Sequence, residues 1–162
     1  MVSGVLEVPA AANAESRAGK YLTFALGEQG YAVQVLRVRE IASMQQITAV
    51  PHTPGYVRGV VNLRGKVIPV IDLRLKFGLP EQKYTPRTSI VVVQIERGTT
   101  RMLVGIIVDK VLEVLAFQTA DIEDTPDFGD GLATPYILGM AKAKGKMKIL
   151  LDINMVLSAQ QL

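Results

Sequence analysis

Short runs of Val, Ile and Leu in this chain reverse at glycine-bearing turns, and that punctuation restricts it to small antiparallel β-units. Tyr21 to Leu26 and Tyr31 to Val35 flank Gly27-Glu28-Gln29-Gly30, and Gly59 to Leu63 and Lys66 to Ile71 flank Arg64-Gly65. Ser89 to Glu96 and Arg101 to Val108 flank Arg97-Gly98-Thr99-Thr100; Tyr136 to Ala143 and Lys146 to Leu151 flank Lys144-Gly145. In each turn a glycine supplies the positive φ that a tight reversal demands. Four hairpins imply about eight strands, enough for closed or nearly closed barrels. Two short helices are expected beside them. Asp72 caps Leu73 to Phe77, which Gly78 and Pro80 end, and Asp152 caps Ile153 to Gln161.

Two of these regions are copies. Gly59-Val-Val-Asn-Leu-Arg-Gly-Lys-Val-Ile-Pro-Val-Ile-Asp72 aligns without gaps on Gly139-Met-Ala-Lys-Ala-Lys-Gly-Lys-Met-Lys-Ile-Leu-Leu-Asp152, and Tyr56 meets Tyr136 at the same offset of 80. Upstream, Val35, Val38 and Glu40 pair with Val108, Val111 and Glu113 at an offset of 73. The longer loop around Asp121 to Gly131 absorbs the difference. A hairpin-plus-helix unit used twice, at 56–77 and 136–157, points to two related β-modules. The expected organisation is a mobile tail over residues 1–19, a body over 20–158, and a C-terminal end at 159–162.

Composition narrows the chemistry. Hydrophobic residues make up 49% and charged residues 20%, which excludes a wholly disordered chain. No apolar run approaches the roughly 18–20 residues of a membrane-spanning helix, and the N-terminus lacks signal-peptide character. Without cysteine there are no disulfides, thiolate metal sites or cysteine nucleophiles, and the single histidine, His52, rules out a multi-histidine metal site. A cytoplasmic location fits. Gly139 to Met147 is superficially like a phosphate loop, but has five residues between its glycines and a methionine where Ser or Thr must follow the lysine. The acidic cluster Asp121, Glu123, Asp124, Asp127 and Asp130 lacks the alternation of a calcium loop and reads as a solvated loop. No serine has nucleophile-elbow surroundings. The expectation is a protein without enzymatic activity, metal or cofactor. Lysines at 142, 144, 146 and 148 have the spacing of one strand face, and a net charge of +3 permits an acidic partner. Nucleic-acid binding through that stripe is the competing reading, weakened by the lack of interleaved aromatics. A hydrolase with an unfamiliar site is a third.

The run Val57-Arg-Gly-Val-Val-Asn-Leu-Arg-Gly-Lys-Val-Ile-Pro-Val-Ile-Asp-Leu73 resembles the signature region of the CheW family of bacterial chemotaxis coupling proteins. Tyr21 to Gly27 resembles that domain's first strand, Val38-Arg39-Glu40-Ile41 its V-x-E-I segment, Val50-Pro51 with Pro54 the approach to the turn, and Gly105 to Val111 its second-half strand pair. The likeness covers Tyr21 to Leu157. It implies an all-β fold of two intertwined five-stranded SH3-like β-barrels with short helices about a common apolar core, with strands crossing between barrels. The same domain occurs in the histidine kinase CheA and in receiver-bearing coupling proteins, and the length here matches the stand-alone form.

The resemblance further implies an adaptor that joins methyl-accepting chemoreceptors to CheA, in arrays at the inner face of the membrane, with a groove between barrels for the receptor tip. It places Glu40, Arg64 and Val114 at receptor contacts, and Val38, Gly59 and Phe128 at kinase contacts. Glu40 and Arg64 either pair with each other or face the receptor. Without the family, Val38 reads as core, Gly59 as a hairpin or bulge glycine, and Val114 as an ordinary strand valine. Phe128, in an acidic loop, is either an internal anchor or the aromatic that closes rings of kinase and coupling protein. Self-association in such rings is a further implied contact. Neither nucleic acid nor membrane insertion is expected.

Overall fold

A computed structural model of the chain describes residues 17–126 and 135–157. The first half runs β1 (Gly19–Leu26), β2 (Gln29–Gln34), β3 (Val38–Ser43), β4 (Val57–Leu63), β5 (Lys66–Asp72) and the helix α1 (Leu73–Lys76). The second runs β6 (Ser89–Arg97), β7 (Thr100–Val108), β8 (Lys110–Phe117), β9 (Ile122–Glu123), β10 (Ile137–Ala143), β11 (Lys146–Leu151) and α2 (Ile153–Val156).

The local chemistry expected from the repeat is visible in both copies. Arg64 and Gly65 have φ of 53° and 83°, Lys144 and Gly145 have 53° and 80°, so both reversals are two-residue turns with positive φ at each central position. The Asp72 carboxylate accepts from the Leu75 N–H and the Asp152 carboxylate from the Met155 N–H, each at 3.3 Å. The backbone of each aspartate also donates to the preceding tyrosine, Asp72 to Tyr56 and Asp152 to Tyr136, at 2.8 Å. Two expected four-residue loops are tighter than the sequence reading had them. Leu26 pairs with Gln29 and Arg97 with Thr100, because Gly27 and Gly98 take positive φ and turn the chain in two residues.

The strands form two sheets, ordered β3-β6-β7-β5-β4 and β8-β1-β2-β11-β10-β9. Each sheet thus takes its β1–β2 or β6–β7 hairpin from the opposite half of the chain. The joins are parallel and in matching register: Ile71 lies beside Ile106 where β5 meets β7, and Leu151 beside Val33 where β11 meets β2. The second sheet has six strands rather than the expected five, for a local reason. Chain leaving β3 returns to β4 through a single bridge, Thr48 to Val60, whereas the equivalent chain after β8 makes the two-residue strand β9 against Met140 and Ala141 of β10. These returns bring the ends of each sheet together.

Side-chain alternation sorts the apolar residues into three clusters. Val91, Val93 and Ile95 of β6 and Val104, Ile106 and Val108 of β7 join Leu22, Phe24, Leu26, Val33, Leu151 and Leu157 in a core shared by both sheets. The opposite faces of the same strands, with Ile90, Val92 and Ile107, close over Val61, Leu63, Ile68 and Val70 inside the first barrel. Tyr21, Ala32, Phe117, Ile122, Ala141 and Leu150 fill the second. Strands β6 and β7 are therefore buried on both faces.

The return bridge explains one glycine. Gly59 has φ of 138° at a register shift in β4, and a Cβ there would run into the Thr48 carbonyl, 2.7 Å from its carbon. Gly59→Ala is expected to destabilise by about 1–3 kcal/mol. Gly139→Ala, at the matching shift against Glu123 but without the positive φ, is expected to cost less, as measured by urea midpoints. Phe24→Ala should remove about 3–5 kcal/mol from the shared core and lower one common transition followed by probes in either barrel. Two separated transitions would contradict a core held in common.

Candidate functional site

The reversal between β4 and β5 carries Arg64, and β3, at the other end of the same sheet, carries Glu40. Curling of the sheet brings them together as an ion pair, Nη2 to Oε2 at 3.4 Å. Arg64 is 83% exposed and Glu40 27%, so the guanidinium stands in solvent over a partly sheltered carboxylate. An exposed pair of this kind adds only about 0–1 kcal/mol to stability, leaving its fork free to exchange partners. The Asn62 side chain accepts from the Gly65 N–H at 3.0 Å and firms the turn beneath Arg64.

The remaining expected residues separate. Val38 stands two positions before Glu40, half-buried against the shared core. Gly59 is buried under the Thr48 return, and its missing side chain admits the Thr48–Ala49 segment. Val114 lies on β8 in the other sheet, 53% exposed. Phe128 lies outside the described residues, as do Asp127 and Asp130 of the acidic cluster; of the others, Asp124 pairs with Arg17 and Asp121 accepts from the Gln118 N–H. His52 is exposed in a turn with φ of 62°. The lysine stripe is not one strand face. Its reversal at Lys144-Gly145 divides it, leaving Lys142 on β10 and Lys146 and Lys148 on β11.

A second ion pair, not singled out from the sequence, repeats the first. Lys144 Nζ meets Glu113 Oε2 at 2.8 Å, joining the β10–β11 turn to β8. Glu113 is the offset-73 counterpart of Glu40 and Lys144 the offset-80 counterpart of Arg64, so the two alignments together already contained it. Val114 sits beside this second pair as Ile41, 48% exposed, sits beside the first. The two pairs are not chemically equal: a guanidinium offers a planar fork to a carboxylate, an ammonium a point charge.

An open groove of about 730 Å³ lies where the two modules meet. Phe77 and Leu79, following α1, form one wall; Tyr31, Tyr136, Ile149 and Met155 form the other. Four rings step into it from the core, Phe24–Tyr31–Phe77–Tyr136, with centroids 5.7 to 6.0 Å apart. Burial, with the neighbouring Tyr136, raises the Tyr31 phenol, and burial lowers the Lys76 ammonium, which lies over the Tyr56 ring at 4.4 Å. None of Glu40, Arg64 or Val114 lines this groove. Among the described residues no group of three or more His, Asp or Glu is placed to hold a metal ion, and no helix is long and apolar enough to cross a membrane.

The CheW-like domain model matches residues 20–161. The chemotaxis protein CheW of Klebsiella aerogenes is 36% identical over 143 residues, covering 88% of this chain and 84% of that protein. CheW of Bacillus subtilis is 33% identical over 148 residues, covering 91% and 92%. The crystal structure of the scaffolding protein TtCheW from Thermoanaerobacter tengcongensis superposes with a TM-score of 0.76 at 32% identity, over 90% of this chain and 96% of that one. With a CheW-like domain spanning nearly all of its length and the exchanged double barrel as its body, the chain belongs to the CheW-like family.

Proposed function

We propose that this protein is a chemotaxis adaptor, without catalysis of its own, that couples methyl-accepting chemoreceptors to the histidine kinase CheA in signalling arrays on the inner face of the membrane. The observation that carries this reading is the near-complete overlap, at 31–36% identity, with proteins named for chemotaxis and with a solved scaffolding protein of the same fold. Residue chemistry supports it: the chain has no cysteine and one histidine, and that histidine is exposed. Signal passes as a shift in the kinase's conformational equilibrium, which a scaffold produces by binding one kinase state more tightly than another.

The Glu40–Arg64 pair is assigned to the receptor. It is solvent-facing, weakly held and planar on its cationic side, so a receptor carboxylate can replace Glu40 at little cost. Val114 is assigned to the same partner from the second barrel. Val38 and Gly59 are assigned to CheA; the first packs on the shared core and the second holds open the approach of Thr48, so both shape the surface beside them. Phe128 is assigned to the contact that closes rings of kinase and adaptor, where copies of the adaptor also meet.

Arg64→Glu places two carboxylates where an ion pair stood. Receptor-stimulated CheA activity, reconstituted with receptor-bearing membranes, is expected to fall at least ~5-fold. The variant should still fold, with a stability loss of about 1 kcal/mol, the scale of a surface ion pair. Full stimulation by the variant would remove Arg64 from the receptor face. The matched reversal Lys144→Glu puts the same question to the second barrel, and a loss there too extends that face to Val114.

A further inference from the structure

A second concavity, of about 200 Å³, opens between the α1–β6 connector and the crossover from β7 to β8. Its floor holds Arg74, only 8% exposed, whose Nε donates to the Pro80 carbonyl at 2.9 Å and whose Nη1 meets Asp109 Oδ2 at 2.8 Å. The same Asp109 oxygen accepts from the Gly27 N–H at 2.6 Å. The other carboxylate in the wall, Asp72, accepts from the Leu75 N–H at 3.3 Å and from the Tyr84 hydroxyl at 3.0 Å. Burial and the Asp72 charge push the Tyr84 phenol up to about 12, so it remains a donor across the physiological range. Arg74 thereby neutralises Asp109, whereas Asp72 accepts only from neutral donors and keeps its charge.

Against that single negative charge, the rest of the lining is positive and donating. Lys83, Arg87 and Lys110 line it, and none of the three side chains has a hydrogen-bond or ion-pair partner among the described residues. Two hydroxyls join them. The Thr85 oxygen accepts from the Arg87 N–H at 3.1 Å, and the buried Thr88 oxygen accepts from the Thr85 N–H at 2.8 Å. In each case a lone pair is used and the O–H proton is left to donate. Lys83 and Arg87 are exposed and Lys110 half-buried, so against the one Asp72 charge the recess keeps a positive excess that an anion relieves while accepting charge-assisted bonds. The connector and the crossover both supply donors, so a multiply charged oxyanion can engage more of them than a singly charged carboxylate.

We propose that this recess is a binding site for a phosphate-type oxyanion, free or carried on a phosphorylated side chain. Binding links Lys83 and Arg87 of the connector to Lys110 at the start of β8, across the Arg74–Asp109 pair that joins the two barrels. Occupancy therefore stiffens the junction between them, and the adaptor acquires a dependence on phosphate that is separate from its proposed receptor face.

The test is a two-dimensional amide NMR titration of the full chain with sodium phosphate, with sodium chloride and sodium acetate at equal ionic strength as comparisons. Saturable shifts at Thr85, Arg87, Thr88 and Lys110 are expected with phosphate alone. Arg87→Ala and Lys110→Ala should each weaken binding roughly tenfold, or about 1.4 kcal/mol, with unchanged thermal midpoints. Lys142→Ala, which removes a charge elsewhere, should leave it intact. N-acetyl-phosphoserine separates the sources: tighter binding than inorganic phosphate assigns the site to a carried phosphoryl group, and weaker binding assigns it to the free ion. Equal shifts with chloride, or equal phosphate binding by wild type and the Arg87→Ala, Lys110→Ala double variant, would overturn the proposal.

Discussion

Reciprocal exchange of two hairpins is the constraint on which the rest of the structure depends. The β1–β2 hairpin completes the sheet built from β8 to β11, and the β6–β7 hairpin completes the sheet built from β3 to β5. Each exchanged strand has one face inside a barrel and the other against the neighbouring barrel. Val92 and Val93, adjacent in the chain, belong to different cores for that reason. A side chain lost from the shared core withdraws support from both barrels at once, since interiors are packed too closely to absorb a void locally. The barrels accordingly have fixed relative positions, which a scaffold needs if it is to present partner surfaces at a constant spacing.

Upon this near-symmetric frame, the working features are departures from symmetry. One crossover between sheets carries Asp109, clamped by Arg74 and by the Gly27 N–H. The counterpart of Asp109 in the other crossover is Leu36, 86% exposed, and the counterpart of Arg74 is Asn154, whose side-chain oxygen accepts directly from the Glu96 N–H at 3.1 Å. The two ion pairs diverge similarly, with arginine in one turn and lysine in the other. The two matched turns thus present a planar guanidinium at one end and a point-charge ammonium at the other.

The sequence was most legible where a local rule had no competitor. Arg64-Gly65 and Lys144-Gly145 are turns because glycine at the second central position takes positive φ cheaply, and Asp72 and Asp152 cap because nothing else competes for those N–H groups. Strands β3, β8 and β9 were harder to read, because no tight turn announces them. Exchange leaves no local mark at all: the parallel contacts of β5 with β7 and of β11 with β2 join residues far apart in the chain. At the site, the resemblance left the Glu40–Arg64 pair as one of two alternatives, whereas the burial of Gly59 beneath Thr48 depends on a return that sequence spacing does not reveal. The split of the lysine stripe shows period-two spacing overruled by a turn in its middle.

The parallel joins also govern the order in which the molecule can be made. A ribosome releases β1 and β2 long before β8 and β11, the strands that flank them, so the first hairpin emerges with both edges unpaired. The first sheet is complete once β7 has appeared, and the second must wait for β11, near the end of the described chain. Contacts so distant in sequence close slowly, because loop entropy is lost before packing repays it. Until β8 and β11 arrive, the apolar hairpin Gly19–Leu26 and Gln29–Gln34 thus has open edges on which another strand can pair.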